Sequence, residues 1–193
     1  MSKLSKTFAF ESRADIEKLG IDIAAIITNM IANRDPSDLK PIIISLQSPE
    51  NAGKSAVWDI VREQLLDKGG IFINKLSSSS EKHGRCYETW EGEINNQSVR
   101  FLACNVGFLV YEWMSRLKYE HFLKFLNNKA SNDKAPLNYD VIILSKSDCS
   151  FIDPSLHDLT IKINYLSPYK PGSWRREVSI ETDSNSAFAK LYE

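Results

Sequence analysis

The chain has 193 residues, 42% of them hydrophobic and 25% charged, which is enough apolar material for one sizeable core and short for two independent domains. Its formal net charge is −1 and its pI about 6.3, so it lacks the basic excess that drives binding to nucleic acid or anionic membranes, and no direct nucleic-acid footprint is expected. Met1-Ser-Lys-Leu-Ser-Lys6 has no signal-peptide apolar stretch, and the longest nearly apolar run, Phe101 to Val110, is too short to span a bilayer; a cytoplasmic protein is expected.

Cys86, Cys104 and Cys149 are far apart and form no C-x-x-C pair, as suits reduced thiols in a cytosolic core. His83 and Cys86 have a spacing that some zinc sites use, but no second pair of ligands follows at a suitable distance.

In chain order, Thr7 to Phe10 reads as an edge strand ended by Glu11-Ser12. Ile16, Leu19, Ile21, Ile23, Ala24, Ile27 and Ile31 then carry a helix from Ala14 to about Asn33, capped by Ser12. Arg34 to Pro41 is a polar, proline-marked turn. Ile42, Ile43, Ile44 and Leu46 follow as a short β-branched run, the pattern of a strand buried on both faces of a parallel sheet.

That strand enters Ser48-Pro-Glu-Asn-Ala-Gly-Lys-Ser55, which fits the phosphate-loop pattern G-x-x-x-x-G-K-[ST] except at its first glycine, here Ser48. Consecutive backbone N–H groups must curl around a phosphate, and Gly53 supplies the close passage. Lys54 is placed to set a cation on the β- and γ-phosphates, and Ser55 to offer its hydroxyl to Mg²⁺. The helix from Ser55 to Asp67 points its positive end at the same anion, with Val57, Ile60, Val61, Leu65 and Leu66 facing the sheet. Ser48, Asn51, Ala52, Gly53, Lys54, Ser55 and Ala56 are the candidate nucleotide-binding residues. A G-K-S tripeptide also arises by chance; the strand before it and the helix after it weigh against chance.

Beyond the glycine stop at Gly69-Gly70, Ile71 to Leu76 is a candidate strand and Ser77 to Ser80 a loop. That loop is either ordinary flexible chain or a switch whose hydroxyls reach the γ-phosphate or Mg²⁺. Arg85 to Trp90 and Val99 to Leu102 read as a hairpin joined through Glu91 to Gln97. Phe101 to Val110 is buried material, Glu112 to Asn128 a helix, and Val141 to Leu144 a second core strand followed by a loop to Asp158. Leu159, Ile161, Ile163 and Tyr165 alternate inward on a strand that pairs with Arg175 to Thr182, and Ser184 to Tyr192 forms a closing helix. The expectation is an α/β fold: a three-layer P-loop NTPase-like domain spanning residues 1–193, with a central, mostly parallel sheet and an antiparallel C-terminal strand pair.

The opening strand and helix with Lys18-Leu19-Gly20, the strand into Asn51-Ala-Gly-Lys-Ser55, and the closing strands around Trp174-Arg175-Arg176 together resemble the TsaE family. This family is the small P-loop ATPase of bacterial tRNA threonylcarbamoyladenosine synthesis. Its loop is usually G-D-L-G-A-G-K-T, so Ser48 and Asn51 stand where glycines are usual and Ser55 replaces threonine conservatively. The resemblance implies ATP and Mg²⁺ as cofactors, TsaD-like and TsaB-like partners, and Arg175 or Arg176 near the phosphates or base. In the middle of the chain the family's H-F-D-L-Y-R-L is best matched by Tyr111-Glu-Trp-Met-Ser-Arg-Leu117. Trp113 occupies the aspartate's place and Glu112, one position off, is the acid left for the metal and for catalysis with Lys54. The family's I-E-W-P-E segment corresponds either to the residues after Leu144, here Ser145-Lys146, or to Tyr111-Glu112-Trp113. Whether the chain hydrolyses nucleotide stays open.

A second resemblance is to GTPases: Ser145-Lys146-Ser147-Asp148 is similar to their guanine-reading N-K-x-D, and Cys104-Asn-Val-Gly107 to their D-x-x-G. It implies GTP in place of ATP. The chain is therefore read as an ATPase-type partner subunit, or as a degenerate GTPase-like or non-hydrolysing binding module. A small-molecule kinase ranks third, because Leu117 to Pro136 contains lysines but none of the arginines such enzymes bring in a lid. Trp90, Trp113, Tyr169 and Trp174 are assigned to core or strand-edge packing rather than base stacking.

Overall fold

A computed structural model describes residues 3–35, 41–49, 52–67, 75–80, 84–94, 96–105, 140–146, 157–166 and 175–183. Its strands are β1 (Lys3–Phe10), β2 (Ile42–Gln47), β3 (Lys75–Ser80), β4 (Gly84–Ile94), β5 (Gln97–Asn105), β6 (Val141–Lys146), β7 (Leu159–Tyr165) and β8 (Arg176–Asp183); its helices are α1 (Arg13–Ala32) and α2 (Lys54–Asp67). The strands form one sheet in the order β1-β8-β7-β2-β6-β5-β4-β3. Pairing is parallel in the centre, where β2 lies between β6 and β7 and β6 also pairs with β5. It is antiparallel on both flanks. The α/β class and parallel centre are as expected.

The central strands explain themselves. Ile42, Ile44 and Leu46 face one way and Ile43 and Ser45 the other, and all five are buried, so both faces of β2 are covered. Val141, Ile142, Ile143 and Leu144 repeat the pattern in β6. α1 and α2 share one face: Ile16, Leu19, Ile23, Ile27 and Ile31 of α1 join Val57, Val61 and Leu65 of α2 in a core with Ile44, Leu46, Ile143 and Ile161. Ile21, counted among the apolar residues that carry this helix, falls off the stripe and is exposed. Gly20 lets the helices cross closely, since a Cβ there would sit 2.7 Å from Ile60 Cβ.

The closing pair is as expected. β7 and β8 are antiparallel, with Leu159, Ile161 and Ile163 buried. β1 is an edge strand that begins at Lys3, four residues earlier than the apolar pattern suggested.

Two expectations are overturned. Ser77 to Ser80 is not a loop but the end of β3, paired with Glu88 to Gly84 of β4. β3 lies four strands from β2, about 19 Å at normal strand spacing, so the serines do not form a switch over the phosphate loop. The hairpin also runs further: β4 and β5 stay paired as far as Ile94 and Gln97, leaving a tight turn in which Asn96 adopts φ 62°. The helices expected over 112–128 and 184–192, and the glycine stop at Gly69-Gly70, lie outside the described residues.

At the edge where the parallel strands begin, two carboxylates hold main chain together. Asp140 accepts from Arg34 and from the Arg100 N–H, each at 2.9 Å, and Asp158 accepts from the Ile43 N–H at 2.8 Å. Lys54 and Arg176 lie at the opposite edge. No helix of the described residues is long and apolar enough to cross a membrane.

Candidate phosphate-binding site

β1, β2 and β7 run in the same sense, so their C-terminal ends, and the starts of α1 and α2, share one edge of the sheet. β2 is also where the connections diverge, with β6 placed on one side of it and β7 on the other. In open α/β sheets that is the position where ligands bind, outside the carboxyl ends of the strands.

The loop between β2 and α2 starts from Ser48, buried at 2% exposure. Lys54, the first residue of α2, folds its ammonium back over the loop. Its Nζ donates to the Ser48 carbonyl at 2.6 Å, to Ser48 Oγ at 2.9 Å and to the Pro49 carbonyl at 3.1 Å. Ser48 Oγ in turn donates to the Pro49 carbonyl at 2.9 Å. The serine at the pattern's first position thus braces the lysine.

Gly53 has φ +111°, a conformation that L side chains rarely adopt, and a Cβ there would meet nothing within 4 Å. Its main chain is therefore shaped for a glycine and its surface is open. The Gly53 carbonyl accepts from the Val57 N–H at 3.0 Å, which makes Gly53 the N-cap of α2. The amides of Lys54, Ser55 and Ala56 are then the leading N–H groups of the helix, which have no partner within it. Ser55 and Ala56 are exposed, and the first turn of α2 carries no acidic residue.

Of the arginine pair, the structure brings one to the loop. Arg176, 7% exposed, donates from Nε to the Ala52 carbonyl at 3.3 Å, while its guanidinium lies 4.5 Å from the centre of the Tyr165 ring. Arg175 turns away and pairs with Glu11 at 2.9 Å on the surface. The register explains the reach of Arg176: β7 pairs Lys162 with Gln47 and continues three residues past it to Tyr165, which pairs with Arg176 level with the loop. No spacing rule could have found a contact between residues 124 apart in sequence, nor the part played by Tyr165.

Asn51 and Glu112 lie outside the described residues. So do Asp148 and Tyr111-Glu112-Trp113, one register of the acidic segment, whereas the other register, Ser145-Lys146, ends β6 and supplies no acid. Lys146 ends β6 in register with Gln47, whereas Asn105 ends β5 one strand further out, opposite Ser145. No group of three or more metal-ligating side chains occurs among the described residues.

A mixed sheet with a parallel centre and a central strand running through a glycine-pivoted, lysine-braced loop into a helix defines an α/β domain of the phosphate-loop type. No protein-family model and no curated protein matches the chain. Among solved structures, Bacillus subtilis YdiB is similar over 94% of this chain and 88% of its own, with a TM-score of 0.46 at 11% identity, a distant structural likeness.

Proposed function

We infer that the chain, as one domain over residues 1–193, binds a nucleoside triphosphate through the loop from Ser48 to Ala56. The observation that carries this is Lys54: its ammonium is held against Ser48 and Pro49 at the C-terminal edge of the central strand, next in sequence to Gly53, whose surface is open. The donor set fits a polyphosphate. It comprises main-chain N–H groups at a helix start, one cation, and no carboxylate in the first helical turn. Ser55 on that turn is the side chain placed for Mg²⁺, with Glu112 as the proposed acidic partner; bound nucleotide would supply the phosphoryl group and Mg²⁺ its charge neutralisation.

Taken with the family resemblance, this supports an ATPase-type partner subunit of a cytoplasmic tRNA-modifying assembly, with TsaD-like and TsaB-like partners. A non-hydrolysing binding module is favoured by one feature, Trp113 at the place of the family's aspartate, because phosphoryl transfer needs metal and a positioned nucleophile as well as the lysine. Ser145-Lys146 beside the start of the loop keeps GTP as the other candidate nucleotide.

Calorimetric titration of ATP and GTP into wild type and Lys54→Ala tests binding. We expect Lys54→Ala to weaken binding by roughly ten- to hundredfold, the range for a charge-assisted hydrogen bond. Negligible heat from both proteins with both nucleotides would end the reading. Phosphate release that Glu112→Gln abolishes identifies the enzyme; binding without release identifies the module.

A further inference from the structure

Arg176 is the first residue of β8 and, among the described residues, the most thoroughly buried arginine at this edge of the sheet, at 7% exposure. Removing a guanidinium from water is costly, and here the group is turned toward the loop's main chain. Nε donates to the Ala52 carbonyl at 3.3 Å, a terminal nitrogen donates to the Arg175 carbonyl at 2.9 Å, and Tyr165 lies beneath the guanidinium plane. In a trans peptide the carbonyl and the following N–H point to opposite sides. A donor fixed on the Ala52 carbonyl therefore turns the Gly53 N–H to the opposite side of the peptide, away from Arg176. Gly53, at φ +111°, is the residue with least preference of its own, since glycine accepts either hand of backbone. Glycine at 53 does not by itself fix the orientation of the Ala52–Gly53 peptide, and the Arg176 donor bears directly on it.

We propose that Arg176 is a positioning residue of the phosphate loop, holding the Ala52 carbonyl so that the Gly53 N–H is presented to an oxygen of a bound polyphosphate. The inference rests on the nucleotide reading above and adds to it. Arg176 acts on the anion through the main chain rather than by contact, and the β7–β8 hairpin belongs to the binding site.

The test titrates tripolyphosphate and ATP into wild type, Arg176→Lys and Lys54→Ala, and follows the Gly53 amide in protein labelled with ¹⁵N-glycine, assigned by its loss in Gly53→Ala. Lysine keeps the charge but cannot place a donor where Nε stands. We expect Arg176→Lys to bind both ligands about tenfold more weakly, with a Tm close to wild type, and its Gly53 signal to broaden or split where wild type gives one line. Wild-type affinity in Arg176→Lys, or an unaltered Gly53 signal, overturns the proposal. Should Arg176→Lys not fold, Tyr165→Leu and Tyr165→Phe decide the matter: only the leucine variant, which removes the ring beneath the guanidinium, should weaken tripolyphosphate binding, and equal affinities overturn it. No heat from wild type with either ligand removes the nucleotide reading and this proposal together. Wild-type heat with an unchanged Arg176→Lys removes the proposal alone.

Discussion

α1 and α2 begin at the same edge of the sheet and share one core, yet their first turns are opposites. α1 answers its own polarity. Asp15, its third residue, accepts from the main-chain N–H groups of Glu11 at 3.0 Å and Ser12 at 2.9 Å and from the Ser12 hydroxyl at 2.8 Å. A carboxylate at this position completes one half of a capping box and meets the positive end of the helix dipole. In α2 the corresponding third residue is Ala56, the cap is a glycine with positive φ, and the first residue is a lysine. One helix start is met by a carboxylate of its own first turn; the other has no acid there and begins with a cation. That difference is what the proposed nucleotide reading requires, an α2 start that takes its anion from outside the chain.

The contrast should vanish when α2 is given the acid that α1 carries. Ala56→Asp puts a carboxylate where Asp15 stands in α1, on an exposed position that tolerates the side chain. It should stabilise the helix by about 0.3–1 kcal/mol through the dipole. It should also weaken tripolyphosphate binding by roughly a hundredfold or more, because like charges a few ångströms apart repel by several kcal/mol at a protein surface. Calorimetry and urea unfolding measure the two effects on the same protein. A variant that binds as wild type does would show that the α2 start is not the anion site.

The next effect in size concerns the contact that holds the two helix starts side by side. A methyl group on Gly20 would lie 2.7 Å from Ile60 Cβ and Cγ2 and 3.2 Å from the Val57 carbonyl. Gly20→Ala must therefore push α1 and α2 apart. Overpacking of this kind costs about 1–3 kcal/mol, and for a chain of this size each kcal/mol lowers Tm by roughly 2–4 °C. A Tm equal to wild type would mean that the two helices slide freely, and that their common edge does not depend on this crossing.

How far this was legible from the chain depended on whether the information was local. The run Ile42 to Leu46, the loop pattern and the spacing of Val57, Val61 and Leu65 each report on neighbours in sequence, and strand, loop and helix are found where those patterns placed them. The alternation of Leu159, Ile161 and Ile163 was equally plain. The serine run misled because serine favours turns when judged alone; its strand is imposed by pairing with β4. The hairpin ran further than expected because Gly92 and Ile94 are buried on either side of the exposed Glu93, an alternation obscured by the surrounding polar residues. Ile21 was misplaced because it lies two residues, or roughly 200° of helix, from Ile23 on the buried stripe. At the site, Lys54 and Gly53 could be read from spacing, whereas the Arg176 contact depends on the β7–β8 register and only the assembled sheet reveals it.

The smallest predicted effect isolates the α1 side of the comparison. The Asp15 carboxyl is held below its ordinary value of 3.8, chiefly by the Ser12 hydroxyl and then by the Glu11 and Ser12 main-chain N–H groups. A carboxylate whose pKa is depressed by folding stabilises the folded state above its unfolded pKa, and that contribution is lost as pH falls through the lower, folded value. The gap in Tm between wild type and Asp15→Asn should therefore be constant from neutral pH down to about pH 5, then close as the pH drops through the carboxylate range. Because Asp15 lies at the surface and is only partly covered, solvent screens its partners and the gap should be small at every pH. α2 has no acid in its first turn, so Ala56→Asn should leave the pH profile of wild type unchanged while Ala56→Asp adds a second contribution with the same sign. A gap between wild type and Asp15→Asn that stays level down to pH 2 would mean that the carboxylate does no more for α1 than a neutral amide could. The contrast between the two helix starts would then rest on the glycine and lysine of α2 alone.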